Sequence, residues 1–369
     1  MKFICEGEDL RAAVATVSHG TNGKTINPIL EGIKIVADKD SVTFFATDLE
    51  LYIRKTIKAD VKQEGSAVLP GKLFGEYIAK IGSGTITFTS SAETAVIEHG
   101  DGNDGNFSCM PIKEYPDLIN LKATPTFAIK AGELKDIIGK TTIFTSQDNA
   151  RPILRGVLFE IDATSNNLTA VALDGFRLAK IIKPIIKPTT STKIIIPARA
   201  LEEMRRMLSD DKKEEINVII ENKFVQISVG ATVFASRLID GEFVNYKQII
   251  PADFASSVVV ETAPFLASVG RAGLLSTTNK VNLLTLTVSD KQISLYANNE
   301  LGKINERVPA NLEGKDITIA FNSKYLYDAI STVTDEFIKI SFTGALAPCV
   351  ITNAKKDSYL FLVLPVRLG

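Results

Sequence analysis

Residues 151–161 read RPILRGVLFEI, and a near copy of this stretch, NPILEGIKIV, lies 124 positions earlier at residues 27–36. Both copies contain Pro-Ile-Leu and a Gly two positions after the Leu, and both continue into the apolar alternation of a strand. A looser third copy, VNLLTLTV, begins at Val281. A period this long predicts repeated domains, because solenoid repeats span only about 20–50 residues.

Other landmarks recur in the same order on both sides of this stretch. Strands that lead into amphipathic helices are predicted at FICEGEDL from Phe3, FAIKAGEL from Phe127 and VVETAPFL from Val259. A second strand and helix are predicted in VLPGKLFGEYIAKI, IIPARALEEMRRML and IAFNSKYLYDAIST. Between them, three polar residues directly follow β-rich runs and are predicted turn residues: Asp48, Asp174 and Asn299.

The repeated landmarks predict an α+β fold of three like domains, each with two helices packed on antiparallel β-sheet. The predicted domains are residues 1–122, 123–253 and 254–369. The composition agrees, since 45% hydrophobic and 23% charged residues in 369 are typical of a globular chain and unlike collagen, coiled coils or disordered chains. Each domain is expected to have its own core.

Charge and cysteine usage bound the function classes. A net charge of −1 gives no global attraction to nucleic acid or to an anionic membrane, so any basic surface must be local. Acidic residues occupy the start of the chain where a signal peptide needs apolar ones, and no run approaches the roughly 18 apolar residues of a membrane span. A cytoplasmic protein is therefore expected. Three widely spaced cysteines, Cys5, Cys109 and Cys349, are interpreted as reduced thiols.

Motifs that suggest catalysis or ligand binding are incomplete. SHGTNGKT resembles a phosphate loop, but Ser18 stands where the first Gly belongs, and the stretch links a helix to a strand. GDGNDGN is interpreted as a hairpin turn and not a calcium loop. With two His residues, His-based catalysis and zinc sites lack their parts, and Asp174 with Arg177 reads as a turn with a nearby salt bridge. No catalytic residue, cofactor or metal is expected.

Five motifs carry a resemblance to a known family: PILEG, TDLEL, LDGFRLA, RLIDGEFVNY and LVLPVRL. In order and spacing, over its full length, the chain resembles the beta sliding clamp of bacterial DNA polymerase III. The resemblance implies that two chains close head to tail into a ring of six domains around duplex DNA, with helices inside and sheets outside. Such a homodimer tethers the replicative polymerase and is loaded by a separate ATP-dependent machine. Two alternatives stay open: a nucleotide-hydrolysing enzyme using the Gly23–Thr25 loop, and a three-domain adaptor that never touches DNA.

DNA contacts in such a ring are expected from Lys and Arg on the helices. The six segments predicted to hold the helices carry a net +4 and leave −5 for the rest of the chain. The resemblance assigns DNA contacts to Lys24, Lys72 and Arg199. Charge alone adds Arg205, Arg271 and Lys280. The absence of Trp, and of aromatic residues interleaved with these charges, argues against a groove that stacks single-stranded DNA.

The resemblance also implies a hydrophobic cleft between the second and third domains. It receives short linear peptides from polymerases, the clamp loader and repair proteins, and Leu or aromatic side chains anchor them. The second domain supplies Arg151, Leu154, Leu173, Gly175, Phe176, Arg177, Leu178, Val244 and Ile249. The third domain and the tail supply Asn322, Tyr325, Leu346, Pro348, Leu362, Val363, Leu364, Pro365, Val366, Arg367 and Leu368.

Individual cleft residues have a second interpretation as ordinary core. That interpretation stays open for Leu154, Leu173 and Leu178, because strand and turn leucines are usually buried. Pro365 is more specific, since a proline weakens strand pairing where the tail would need it. The chain departs from the family pattern at Phe176, where a His often stands, and at Pro152, Ile153, Gln248 and the Gly after the last leucine.

Overall fold

The computed structural model describes residues 1–21, 27–100, 102–117, 119, 121, 124–209, 211–276, 282–355 and 358–367. Three of the predicted site residues, Lys24, Lys280 and Leu368, lie outside these ranges, as does the Gly23–Thr25 loop. The chain forms two compact units. Unit 1 comprises Met1–Gly132 and Arg199–Leu238, and unit 2 comprises Glu133–Ala198 and Ile239–Gly369.

The first third of the chain alternates strands with two helices. Its elements are β1 (Lys2–Glu6), α1 (Gly7–Ser18), β2 (Gly32–Asp38), β3 (Ser41–Thr47), β4 (Leu51–Lys58), β5 (Asp60–Gln63), β6 (Gly65–Pro70), α2 (Gly71–Ile78), β7 (Thr85–Ser90), β8 (Thr94–His99) and β9 (Asn103–Ser108). The predicted hairpin is the β8–β9 connection, where Gly100 and Gly102 take positive φ angles of 58° and 82° that glycine adopts without strain.

The second and third parts of the chain repeat this order. The second contains β10 (Phe127–Lys130), α3 (Ala131–Thr141), β11 (Gly156–Asp162), β12 (Asn167–Leu173), β13 (Arg177–Pro184), β14 (Thr192–Pro197), α4 (Ala198–Met207), β15 (Glu215–Glu221), β16 (Phe224–Val229) and β17 (Thr232–Arg237). The third contains β18 (Ser256–Glu261), α5 (Thr262–Ser276), β19 (Leu283–Ser289), β20 (Gln292–Asn299), β21 (Gly302–Gly314), β22 (Ile317–Asn322), α6 (Ser323–Ser331), β23 (Phe337–Phe342), β24 (Cys349–Asn353) and β25 (Tyr359–Val363). The strand-to-helix passages predicted from the repeats are all present, and the α+β fold is confirmed.

Both PIL stretches form a single 3-10 turn that leads directly into a strand. The turns are Pro28–Glu31 before β2 and Pro152–Arg155 before β11, and proline opens each one because its fixed φ suits the first position. The Gly that follows is packed tightly, since a Cβ on Gly156 would lie 2.6 Å from Ile195 Cγ2. The shared Pro-Ile-Leu-X-Gly pattern therefore reflects one local structure used twice.

The described strands form three antiparallel sheets. In unit 1 they are a five-stranded sheet, β5-β1-β7-β8-β9, and an eight-stranded sheet, β10-β15-β16-β17-β4-β3-β2-β6. In unit 2 they form one twelve-stranded sheet, β14-β11-β12-β13-β25-β24-β23-β18-β21-β20-β19-β22. The middle repeat thus contributes one sheet to each unit, joined to the first repeat by the β4–β17 pairing and to the third by the β13–β25 pairing. We call these two pairings the seams.

Each seam carries a hydrophobic cluster. Each cluster includes residues of the segment that connects two successive repeats, after β9 in unit 1 and after β17 in unit 2. In unit 1 the cluster joins Phe45 and Tyr52 to Ala235, with Tyr115 and Met110 packed on them. In unit 2 it joins Leu178 to Leu362, with Tyr246 and Phe243 packed on them. The peptide-site candidates from the sequence lie along this second seam.

Candidate functional site: an apolar depression beside the second seam

The turn between β12 and β13 is built by Asp174, as the sequence predicts. Its Oδ1 accepts hydrogen bonds from the backbone N–H groups of Phe176 (2.9 Å) and Arg177 (3.1 Å). Gly175 takes φ +96°, and a Cβ there would lie 3.4 Å from Nη1 of Arg151, so the Arg151 guanidinium lies beside the turn. The turn projects Phe176 outward with 56% of its surface exposed.

Arg177 is the most constrained side chain of the turn, with 7% of its surface exposed. Its Nε donates to Asp174 Oδ2 (2.9 Å), Nη1 donates to Asp328 Oδ2 (2.6 Å), and Nη2 donates to the Ile143 carbonyl (2.6 Å). The guanidinium also lies over the ring of Tyr325, 4.5 Å from its centroid. The side chain therefore joins the β12–β13 turn to helix α6, and no feature of the sequence indicates Asp328 as its partner.

The chain after β25 crosses from one part of the sheet to another. Leu364 N–H donates to the Phe176 carbonyl (2.9 Å), and Val366 N–H donates to the Ala320 carbonyl on β22 (2.8 Å). Pro365 between them makes an isolated bridge to Phe321. Because proline has no N–H to donate, the regular ladder ends at Val363 and the tail passes over the face of the turn.

These elements enclose a small apolar depression of about 50 Å³. Its lining is drawn entirely from the predicted peptide-site residues: Leu173, Gly175, Phe176, Arg177, Leu178, Ile249, Leu362 and Leu364. Leu173, Leu178 and Leu362 are buried in the seam cluster, so they are core residues that also form the floor. Ile249 is partly exposed at the rim.

The other predicted peptide-site residues do not line the depression. Tyr325 stacks on the ring of the lining residue Phe176, with ring centroids 5.8 Å apart, and the Asn322 side chain caps α6 by accepting from the N–H groups of Lys324 and Tyr325. Leu154 is buried in the seam cluster and Val363 in the strand core. The remaining positions lie nearer the surface: Arg151, Val244, Leu346, Pro348, Pro365, Val366 and Arg367.

A polar group under the seam cluster was not predicted from the sequence. Glu160 on β11 accepts from the Tyr246 hydroxyl (2.5 Å) and pairs with Lys193 (2.7 Å). Burial opposes ionisation of Glu160, but the hydrogen bonds from Lys193 and Tyr246 hold its pKa below the usual value. Tyr246 is thereby fixed beneath the segment that carries Val244 and Ile249.

The described DNA-binding candidates differ in their surroundings. Arg199 pairs with Asp48 (2.5 Å), Arg205 with Glu202 (3.5 Å), and Arg271 donates to both oxygens of Glu306 (2.9 and 2.7 Å).

Lys72 is exposed on α2, and no carboxylate in the described part of the chain lies within ion-pair distance of it. A phosphate would have to compete with a carboxylate at three of these four positions. The partners of these arginines were not identified from the sequence.

The described residues hold no group of three or more His, Cys, Asp or Glu side chains placed to bind a metal ion. The three cysteines are free thiols, and burial raises the pKa of Cys5 and Cys349 to about 12, which keeps them protonated. Among the helices of the described ranges, none is both long and apolar enough to cross a bilayer.

Comparisons with known proteins agree with the repeated fold. Three family models match in succession: the N-terminal domain of the DNA polymerase III beta subunit at residues 1–120, its central domain at 128–245 and its C-terminal domain at 247–367. The beta sliding clamps of Bacillus subtilis (strain 168) and Halalkalibacterium halodurans are 30% and 33% identical to this chain, with all of each sequence covered.

Solved structures give the same result. The DNA polymerase sliding clamp from Bacillus subtilis superposes with a TM-score of 0.96 at 30% identity, and the DNA polymerase III beta chain from Streptococcus pneumoniae TIGR4 with 0.94 at 25%, both over the full chains. The repeated fold and these matches define a sliding clamp of DNA replication. More particularly, the chain belongs to the DNA polymerase III beta subunit family, which confirms the resemblance found in its motifs.

Proposed function

We propose that two copies of this chain pair head to tail into a ring that encircles duplex DNA and tethers the replicative polymerase without catalysing a reaction. The observation that carries the proposal is the pattern of seams. In both seams the third strand after the first helix of one repeat pairs with the last strand of the next repeat, β4 with β17 and β13 with β25.

In the third repeat the third strand after the first helix is β21, and in the first repeat the last strand is β9. Within the described residues, Gly302–Pro309 of β21 pairs on one side only, with β20, and β9 pairs only with β8. An open strand edge is a template for pairing with another chain. Antiparallel pairing of β21 from one copy with β9 from the other would make two further seams and close six repeats into a ring.

The helices at these positions support the same contact. At each seam the end of the first helix of one repeat is linked to the second helix of the next. His19, which follows α1, pairs with Glu203 on α4, and Arg177 joins Ile143, which follows α3, to Asp328 on α6. The equivalent pair between copies is α5 with α2. Leu274 on α5 is 70% exposed and Leu73 on α2 is 58% exposed, so each of the two helices presents a large apolar side chain to solvent. Burying both against a second copy removes apolar surface from water.

Light scattering tests the dimer. We expect twice the chain mass for the native protein, and the monomer mass for Leu274→Asp, because the charge would have to be desolvated in the new seam. Leu346→Asp is the matched control: Leu346 is 73% exposed but belongs to the β23–β24 connection and to none of β21, β9, α5 and α2, so the dimer should persist. A native monomer at micromolar concentration contradicts the ring.

The DNA contacts in this proposal are weak and independent of sequence. Arg199, Arg205 and Arg271 are held by carboxylates, so they supply positive potential with little direct phosphate bonding. Retention then depends on topology. Protein placed on circular plasmid by a clamp loader and ATP should remain bound until the plasmid is linearised. Equal loss from circular and linear DNA would favour the adaptor that never encloses DNA.

The peptide site in this proposal is the apolar depression, extended by Tyr325, Leu346 and the tail. Deleting Leu364–Gly369 removes one wall and should abolish binding of a polymerase-derived peptide while the dimer persists. Unchanged affinity would contradict this assignment. The rival nucleotide-hydrolysing function is tested by ATPase assay: activity in the purified protein that Lys24→Ala removes would support the rival.

A further inference from the structure

A second groove lies on the same face of the unit 2 sheet as the apolar depression. Its volume is about 670 Å³, and residues of β13, β23, β24 and β25 line it together with Pro251 and Phe254. We call it the lysine groove, because Lys180, Lys339 and Lys355 are the charged residues of its lining. No Asp or Glu belongs to the described lining.

The register of the strands makes the two sites continuous. Leu178, Leu362 and Val350 lie opposite one another across β13, β25 and β24, and they form the row beneath the depression. Two residues along each strand, a second row runs through Lys180, Leu360, Thr352 and Lys339. Because side chains alternate between faces, both rows project from the same face, about 7 Å apart.

The lysines of the groove are available to a ligand. Lys180 and Lys339 are half-buried and Lys355 is exposed, and within the described residues none of the three makes an ion pair. Two acidic side chains that project from this face of the sheet have other partners, since Glu160 pairs with Lys193 and Glu313 accepts from the Ser257 hydroxyl. The described lining therefore combines three lysines and no acidic residue with the apolar side chains of Leu360, Ile182 and Phe254.

We propose that the lysine groove binds an acidic stretch of the same linear peptide whose apolar anchor occupies the depression. The proposal rests on the peptide site described under the proposed function and extends it to peptide selectivity. Lys180 and Lys339 are three strand spacings apart, about 14 Å, which an extended segment of about four residues spans. Asp or Glu side chains at both ends of such a segment can reach both lysines.

A nucleic acid strand and an acidic peptide are both negatively charged, but they require different features of a binding groove. Sequence-independent binding of a nucleic acid strand typically uses stacked aromatic side chains along a basic channel. The only aromatic residues in the described lining are Phe254 and Tyr359, and the Tyr359 ring is buried against Phe361. An acidic peptide needs point charges and continuity with an apolar anchor site, and both are present. The geometry therefore favours the peptide over a DNA strand.

The test uses three fluorescent peptides with the same Leu-Phe anchor and flanks that are neutral, acidic on the N-terminal side, or acidic on the C-terminal side. One acidic peptide should bind the native protein about five- to tenfold more tightly than the neutral one, because each exposed ion pair contributes modestly. This gain in affinity over the neutral peptide should vanish in the double variant Lys180→Gln/Lys339→Gln and at high salt. It should persist in the charge-matched control Lys113→Gln/Lys213→Gln, whose lysines are exposed in unit 1.

Each outcome decides between the two sites. Equal binding of all three peptides, or a gain that survives in Lys180→Gln/Lys339→Gln, overturns the lysine groove and leaves the depression intact. Binding of an acidic peptide without the neutral one supports the groove and contradicts the apolar anchor site. Failure of all three peptides overturns both. Displacement of the acidic peptide by a short single-stranded DNA overturns the peptide assignment in favour of phosphate.

Discussion

Replacing Arg177 with Ala should weaken the attachment of the β12–β13 turn to α6. Removing one partner from a buried ion pair costs about 3–5 kcal/mol. Asp328 keeps Lys324 at 3.1 Å, which reduces the penalty, while the Ile143 carbonyl loses its donor. We therefore expect a local loss of about 3 kcal/mol, which corresponds to hydrogen exchange roughly 100-fold faster in the affected segments.

Hydrogen–deuterium exchange measures this loss segment by segment. Amides of β13 and α6 should exchange faster in Arg177→Ala, while those of unit 1 serve as an internal reference. Arg206→Ala is the matched control, because Arg206 pairs with Glu203 on an exposed helix face and such pairs contribute about 0–1 kcal/mol. Peptide affinity should fall with Arg177→Ala, since Tyr325 loses the guanidinium that lies over its ring.

A change of less than about fivefold in the exchange rates of β13 and α6, which corresponds to about 1 kcal/mol, would contradict this expectation. That result would mean that the β13–β25 ladder alone holds the turn in place. Arg177→Lys should recover only part of the loss, because a single ammonium cannot reproduce the three directions in which the guanidinium donates.

Three further changes test other parts of the structure. Lys183 donates to Asp136 and, despite burial, helps hold its pKa below the usual value, so Lys183→Met should destabilise unit 2 at pH 7. The difference in unfolding free energy between native protein and variant should shrink below about pH 4, because the Asp136 carboxyl protonates there. Urea titrations at pH 7 and pH 3 measure this difference, and an equal difference at both pH values contradicts the prediction. Gly314→Ala should lower the urea midpoint far more than Gly84→Ala. Both glycines have a positive φ, but only the Cβ added at position 314 would lie 2.5 Å from a carbonyl oxygen. Equal midpoints of the two variants refute this. Phe176→Ala should reduce peptide affinity about tenfold with little loss of stability; unchanged binding by fluorescence anisotropy argues against its role.

The sequence predicts the elements and the turns because these depend on residues close together in the chain. The Asp174 turn is an example, since one carboxylate accepts from N–H groups two and three residues later. The strand-to-helix passages likewise follow from local periodicity repeated at nearly constant offsets. The residues that line the apolar depression are singled out in the sequence only through the family motifs, because its floor leucines are indistinguishable there from core residues.

Features that depend on distant pairs were not predicted. Arg177 and Asp328 are separated by 151 positions, as are Asp48 and Arg199, and nothing in the local sequence of either partner indicates the other. The lysine groove is a stronger case. Lys180 and Lys339 have unremarkable neighbours in the sequence, and only the register of β13, β25, β24 and β23 brings them to one face, where Lys355 joins them from the segment after β24.

The two seams within the chain differ from the proposed seams between copies in one physical respect. A segment connecting successive repeats packs on each internal seam through a buried tyrosine: Tyr115, whose hydroxyl donates to the Gly32 carbonyl (2.9 Å), and Tyr246, whose hydroxyl donates to Glu160. Between copies no connecting segment can do this, so those seams depend on the strand ladder and on the leucines of α5 and α2. Since the internal seams gain both a covalent connection and a buried aromatic cluster, a proposed ring of this chain should open between copies, at β21 and β9, before either internal seam separates.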